Sequence, residues 1–121
     1  MLIKDVQDVS EIIAGDDSLL RELVHPDRDP IDVTYSLALA VVRPGRASRP
    51  HRLTSSEVYY VVRGAGVMHI DDDEAPVHAG HAVAIPANAV QWIENTETID
   101  LEFLCIVEPA WQPEQEEVVG T

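Results

Sequence analysis

From residue 34 onward, apolar and polar positions alternate in short runs divided by turn residues. Thr34 to Arg43 sets Tyr35, Leu37, Leu39 and Val41 on one side and Ser36, Ala38, Ala40 and Val42 on the other, the period of a strand. Large residues on one face and small ones on the other suit two packed sheets. Pro44-Gly45 turns the chain, and Arg46 to Ser56 reads as a loop carrying His51. Glu57 opens a strand that runs through Val62, and Arg63-Gly64-Ala65-Gly66 turns it into Val67-Met68-His69-Ile70. Asp71 to Glu74 reads as a charged hairpin tip, because the ligand spacing and glycine of a calcium loop are missing. Ala82 to Ile85, Val90 to Ile93 and Ile99 to Val107 supply further strands. Short strands recurring every ~8–12 residues indicate an all-β sandwich or barrel.

The ends of the chain read differently. Leu2, Ile3 and Val6 suggest a short edge strand within residues 1–7. Leu19, Leu20, Leu23 and Val24 fall on one helical face, with Asp16 or Asp17 available as a cap and Pro26 as a stop, which predicts a short helix over residues 18–24. His25 to Pro30 reads as a rigid polar connector. Gln112 to Thr121 reads as a loose acidic tail, with Trp111 folding back onto the body.

Composition narrows the function classes. With 121 residues the chain makes one domain, large enough to bury a core without staples. Twenty-two acidic against 8 basic residues give a net charge of −14, which repels phosphate backbones and anionic membranes, so neither is an expected partner. The single cysteine, Cys105, forms no intrachain disulfide, and no apolar run approaches the ~20 residues of a membrane helix. With no signal-peptide pattern at Met1 to Asp5, the expected location is cytoplasmic. Arg43, Arg46, Arg49, Arg52 and Arg63 are five of the 8 basic residues. Either they offset acids within the fold or across a dimer contact, or they steer an anionic substrate.

Two stretches carry the chemistry. In the first, Gly45, His51, Glu57 and Gly64 frame the turn and strand around residue 57; in the second, Gly80, Pro86 and Asn95 frame residues 80–95. These positions match the spacing of the two motifs of the cupin family, which the chain resembles over residues 33–108. Leu53 stands where the first motif has its second His, while Asn88 replaces a Gly and Gln91 a His in the second. The resemblance implies a double-stranded β-helix (jelly-roll) barrel over 33–108. It would follow an N-terminal extension, 1–32, that holds the short helix, and precede the tail, 109–121.

In the family the glutamate's face lines the barrel interior, and by alternation Glu57, Tyr59 and Val61 share that face. The resemblance then brings His51, Glu57 and Gln91 together as ligands for a divalent transition metal (Fe, Mn, Ni or Zn), with water in the open positions. His25 is a replacement fourth ligand in this picture, or else a charge–dipole partner at a helix end. Without metal, Glu57 bonds to Gln91 or His51 in a satisfied polar cluster. Tyr59 is a catalytic phenol beside Glu57 or a core residue. His69, His78 and His81 suit surface or capping roles, Tyr60 and Trp92 an outer face or partner contact, and Cys105 a small buried hydrophobe. The implied protein is a small metal-dependent cupin, a dioxygenase or isomerase acting on a small organic molecule. The alternatives are a metal-free binding module holding a small anion or sugar through Arg46, Arg49 or Arg52, and an assembly protein with a vestigial pocket. The family also implies a homodimer, which covers open sheet edges.

Overall fold

The computed structural model describes residues 1–120; Thr121, the last residue of the expected tail, lies outside the described residues. The alternating runs become eleven strands among the described residues: β1 (Ile12–Ile13), β2 (Leu19–Val24), β3 (Ser36–Val42), β4 (His51–Leu53), β5 (Ser56–Arg63), β6 (Ala65–Ile70), β7 (Asp73–His78), β8 (Ala82–Ile85), β9 (Gln91–Glu94), β10 (Leu101–Glu108) and β11 (Glu116–Val118). They form two antiparallel sheets, a six-stranded one in the order β1-β2-β3-β10-β5-β8 and a five-stranded one in the order β11-β4-β9-β6-β7. This is the expected all-β jelly-roll barrel. Among the described residues no helix is long and apolar enough to cross a membrane.

Alternation decides what faces inward. On β3 the small residues do: Ser36, Ala40 and Val42 are buried, while Leu37, Leu39 and Val41 are half-buried on the outside. On β5 the inward set is Glu57, Tyr59 and Val61, and on β10 it is Leu101, Phe103, Cys105 and Val107. The antiparallel register places Cys105 between Ala38 and Tyr59, and Val107 between Ser36 and Glu57. One end of the barrel is filled by Val42, Val61, Met68, Val77, Ile85, Ile93 and Leu101. At the other end Ser36, Ala38 and Ala40 are too short to meet the opposite sheet, and a cavity remains.

Four local expectations change. Residues 19–24 are strand rather than helix: Leu20 pairs with Ala40 and Arg21 with Leu39, so β3 satisfies the backbone of a segment too short to hold a helix alone. The only helical segments among the described residues are 3₁₀ turns at Val6–Asp8 and Pro113–Gln115, and residues 1–7 contain no strand. The loop expected before Glu57 contains β4, with His51 opposite Gln91 of β9. The tail is not loose, because β11 pairs with β4 from Glu116↔Leu53 to Val118↔His51. Trp111 does fold back, its indole N–H donating to Glu116 Oε2 at 2.8 Å.

The motif residues are largely turn chemistry. Asn88, which stands in place of glycine, has φ +68°, a left-handed conformation that asparagine tolerates better than most residues. Buried Asn95 staples its turn: Nδ2 donates to Val42 O (2.9 Å) and Ile99 O (2.7 Å), and Oδ1 accepts from Glu97 N (2.9 Å). Gly64 has φ +85°, and a Cβ there would lie 2.6 Å from Asp100 O, whereas Gly45, at φ +73°, faces open space. Both sites penalise a side chain through conformation, but only Gly64 adds a backbone collision. Gly45→Ala is therefore expected to cost about 1 kcal/mol and Gly64→Ala about 2–4 kcal/mol. Urea denaturation of the two variants checks this, and equal losses would refute the role given to the Asp100 contact.

Candidate functional site

The polar site is built where the two sheets meet at the open end of the barrel. Glu57 comes from β5 of the larger sheet, and His51 and Gln91 come from the paired strands β4 and β9 of the smaller one. All three are buried. Gln91 Nε2 donates to Glu57 Oε1 at 2.9 Å, a bond that crosses the barrel interior from one sheet to the other. The other amide atom, Gln91 Oε1, is buried without a hydrogen-bond partner among the described residues. His51 Nδ1 lies 2.7 Å from Arg49 O. A carbonyl only accepts, so Nδ1 carries a hydrogen and Nε2 is the nitrogen left for chemistry.

A fourth residue, Asp16, reaches this group from the turn between β1 and β2. Its Oδ1 accepts from Ser18 N (3.0 Å) and Ser18 Oγ (2.6 Å), and its Oδ2 lies 3.6 Å from His51 Nε2. Arg49 N donates to Asp16 O at 2.7 Å, tying this turn to the approach to β4. Asp16 belongs to the site, and sequence reasoning treated it only as a helix cap. The legible signal was Asp-x-Ser, which forms a local side-chain turn in any context. Glu116 and Trp111, from the supposed tail, complete the wall.

The cavity has a volume of about 270 Å³, near the low end of the ~300–1,000 Å³ of ligand pockets and suited to one small organic molecule. Its inner wall is apolar, with Leu53, Tyr59, Phe103 and Val107, and its polar side carries Asp16, His51, Glu57 and Glu116. The Tyr59 ring packs on Phe103 with centroids 4.5 Å apart. Burial pushes the Tyr59 phenol and the Cys105 thiol well above their usual ranges, so both stay protonated and Cys105 is no nucleophile. Burial also pushes Glu57 up, from 4.5 to about 8; the Gln91 bond opposes this, and the negative charges of Asp16 and Glu116 add to it. At neutral pH Glu57 therefore holds its proton.

The other expected residues lie elsewhere. His25 is buried away from the cavity, where Nδ1 accepts from Asp27 N at 3.1 Å and Nε2 donates to Trp111 O at 2.7 Å. With both ring nitrogens engaged it offers no metal ligand, and no helix ends beside it. His69 stacks on Trp92 outside the smaller sheet, its Nε2 3.0 Å from Glu94 Oε1, and His78 and His81 pack on each other at the surface. The arginine cluster faces outward onto acids: Arg43 to Asp100, Arg49 to Asp17, Arg52 to Glu117 and Arg63 to Glu102. Arg46, Arg49 and Arg52 do not line the cavity; Arg28 does, at the mouth, paired with Glu22.

The donor set suits a transition metal poorly. Leu53 fills the place of one imidazole, and Glu57 Oε1 is taken by the Gln91 amide. Among the described residues no three His, Cys, Asp or Glu side chains form a group that could hold a metal ion. What the residues form is a buried hydrogen-bonded cluster at a ligand-sized cavity.

Fold and site together define a jelly-roll barrel that opens on a small-molecule cavity. The family described as Cupin domain matches residues 38–107. An uncharacterized protein of Methanocaldococcus jannaschii is 34% identical over 112 residues, 92% of this chain and 89% of that protein. The chain belongs to the cupin family. It is also 37% identical over 51 residues to an oxalate-binding protein of Thermotoga maritima, 42% of each chain. Among solved structures, the polyketide cyclase RemF of Streptomyces resistomycificus superposes with a TM-score of 0.83 at 20% identity, covering 100% of this chain and 87% of that one, a likeness of fold.

An unfolded glutamate titrates near 4.5 and folded Glu57 near 8, so between these values the folded chain keeps a proton that the unfolded chain has lost. This group's contribution to stability therefore falls by about 1.4 kcal/mol per pH unit across that window and levels off above it. In Glu57→Gln the slope disappears while the amide oxygen still accepts from Gln91. Denaturant titrations at pH 5 and pH 8 should show wild type losing several kcal/mol relative to the variant; parallel profiles would mean that Glu57 is ionised in the fold.

Proposed function

We propose that this cupin binds a small organic molecule in its barrel cavity without a resident transition metal, and that Glu57 and His51 exchange protons with it. The observation that carries this is the buried Glu57 carboxyl, held by Gln91 at the cavity wall and protonated at neutral pH. His51 supports it, because Nδ1 is fixed as a donor to Arg49 O and Nε2, 3.6 Å from Asp16 Oδ2, is the nitrogen turned to the acid cluster. A neutral carboxylic acid and an imidazole at one cavity suit proton transfer of the kind used in isomerisations and eliminations. Tyr59 contributes a neutral ring and phenol to the wall. The anion arm of the binding-module alternative loses its arginines, which are outside.

Elemental analysis of untagged protein, beside a screen of small molecules by thermal shift, tests the proposal. The expected result is no stoichiometric metal together with organic ligands that raise Tm, by ~2.7 kcal/mol of stabilisation at a concentration near 100 Kd. For a turned-over ligand, Glu57→Gln should slow proton exchange by ~10²–10⁴-fold. Near one equivalent of a transition metal, lost in Glu57→Ala, would establish the metal centre of His51, Glu57 and Gln91 instead.

We further propose that the protein is a homodimer joined through the outer face of the six-stranded sheet. That face presents Leu37, Leu39, Leu104, Tyr60, Val62 and Ile106, the last three exposed, and Arg21 Nε within it is buried without a partner among the described residues. On so acidic a chain, this apolar face is where a like-charged copy approaches with least repulsion. Six strands ~4.8 Å apart and about 20 Å long offer roughly 500 Å² per copy, close to the minimum for a stable pair. Light scattering should give twice the chain mass for wild type and the single mass for Tyr60→Asp; a wild-type monomer at micromolar concentration refutes it.

A further inference from the structure

The cavity lining carries more acidic than basic side chains. Asp16 and Glu116 face it as carboxylates, each held by neutral donors: Ser18 N and Oγ on Asp16, and the Trp111 indole on Glu116. Such bonds fix the oxygens in place without neutralising them, and His51 Nε2 lies 3.6 Å from Asp16 Oδ2. The lining residue that carries a permanent positive charge, Arg28, is already paired with Glu22 at the mouth. His51 is the other basic group, and its Nε2 sits beside Asp16 rather than opposite an open wall.

One further observation points the same way. The apolar part of the lining includes three aromatic rings, Tyr59, Phe103 and Trp111, whose faces attract cations and cannot neutralise anions.

We infer that the cavity is selective for a small organic cation, an ammonium or similar onium group among apolar substituents, over neutral and anionic molecules of the same shape. This rests on the proposed use of the cavity as a ligand site and adds the sign of the ligand's charge. That sign is opposite to oxalate's, so the resemblance to the Thermotoga maritima protein extends to the fold and not to the charge of the ligand. The chain's net charge of −14 concentrates cations at the mouth as well.

Three probes of one shape and different charge provide the test: choline, 3,3-dimethylbutan-1-ol and 3,3-dimethylbutanoate, titrated calorimetrically into the full chain at pH 7. Choline should bind at least about tenfold more tightly than the alcohol, and the carboxylate most weakly. Asp16→Asn, which can still accept from Ser18, should weaken choline by about fivefold and leave the alcohol unchanged. An alcohol that equals choline, or a carboxylate that binds best, overturns the inference while leaving the cavity a ligand site. Equal weakening of both probes in Asp16→Asn, or none, also overturns it. If none of the three binds at millimolar concentration, both the inference and the use of this cavity as a small-molecule site fail together.

Discussion

The hydrogen bond from Gln91 to Glu57 is the contact on which the interior depends. It joins the two sheets through the middle of the barrel, and it places a carboxyl where almost no water reaches it. A charged carboxylate there would carry a large desolvation penalty, which a single neutral amide donor does not offset. The proton therefore stays on Glu57 at neutral pH, and the cluster is neutral, with Gln91 Oε1 left without a partner among the described residues. A histidine in place of Gln91 and another in place of Leu53 would give a different interior, one with enough imidazole donors to hold a metal and keep the glutamate ionised. Leu53 and Gln91 thus leave a hydrogen-bonded cluster where the family's motifs place imidazoles.

The cavity beside this bond exists because of what β3 leaves out. Ser36, Ala38 and Ala40 face inward beside Tyr59, Phe103 and Val107 of the same sheet, and their small volume is not made up by the opposite sheet. Each end of the chain then closes part of the opening. The β1–β2 hairpin brings Asp16 to His51, and β11 brings Glu116 beside Trp111. The chain ends bring carboxylates to the cavity, while Arg43, Arg49, Arg52 and Arg63 lie outside and pair with surface acids.

The motif glycines and asparagines serve the backbone more than the chemistry. Gly64 lets β10 approach a turn that a Cβ would block, Asn88 occupies a left-handed position, and Asn95 ties three backbone groups with one side chain. They hold strand ends at the spacing that lets His51 face Gln91 across two strands of the same sheet.

The sequence by itself determined the alternation of Thr34 to Val107 and the all-β class, which follow from period-two geometry, a local property of the chain. The jelly-roll barrel, the inward direction of the face shared by Glu57, Tyr59 and Val61, and the convergence of His51, Glu57 and Gln91 were legible through the resemblance of the two motifs to the cupin family. The sequence misjudged residues 19–24 because Leu19, Leu20, Leu23 and Val24 fit a helical face and a strand edge about equally well, and the partner that decides between them, β3, is contributed from elsewhere. It also missed Asp16, Glu116 and Trp111 as site residues and assigned His25 a place it does not take. Only the tertiary structure decided these, because strand pairing across long stretches of chain brings the hairpin turn and the tail to the cavity, while Trp111 O and Asp27 N engage both ring nitrogens of His25. The protonation of Glu57 belongs to the same class, since desolvation is a property of the folded surroundings and not of the residue.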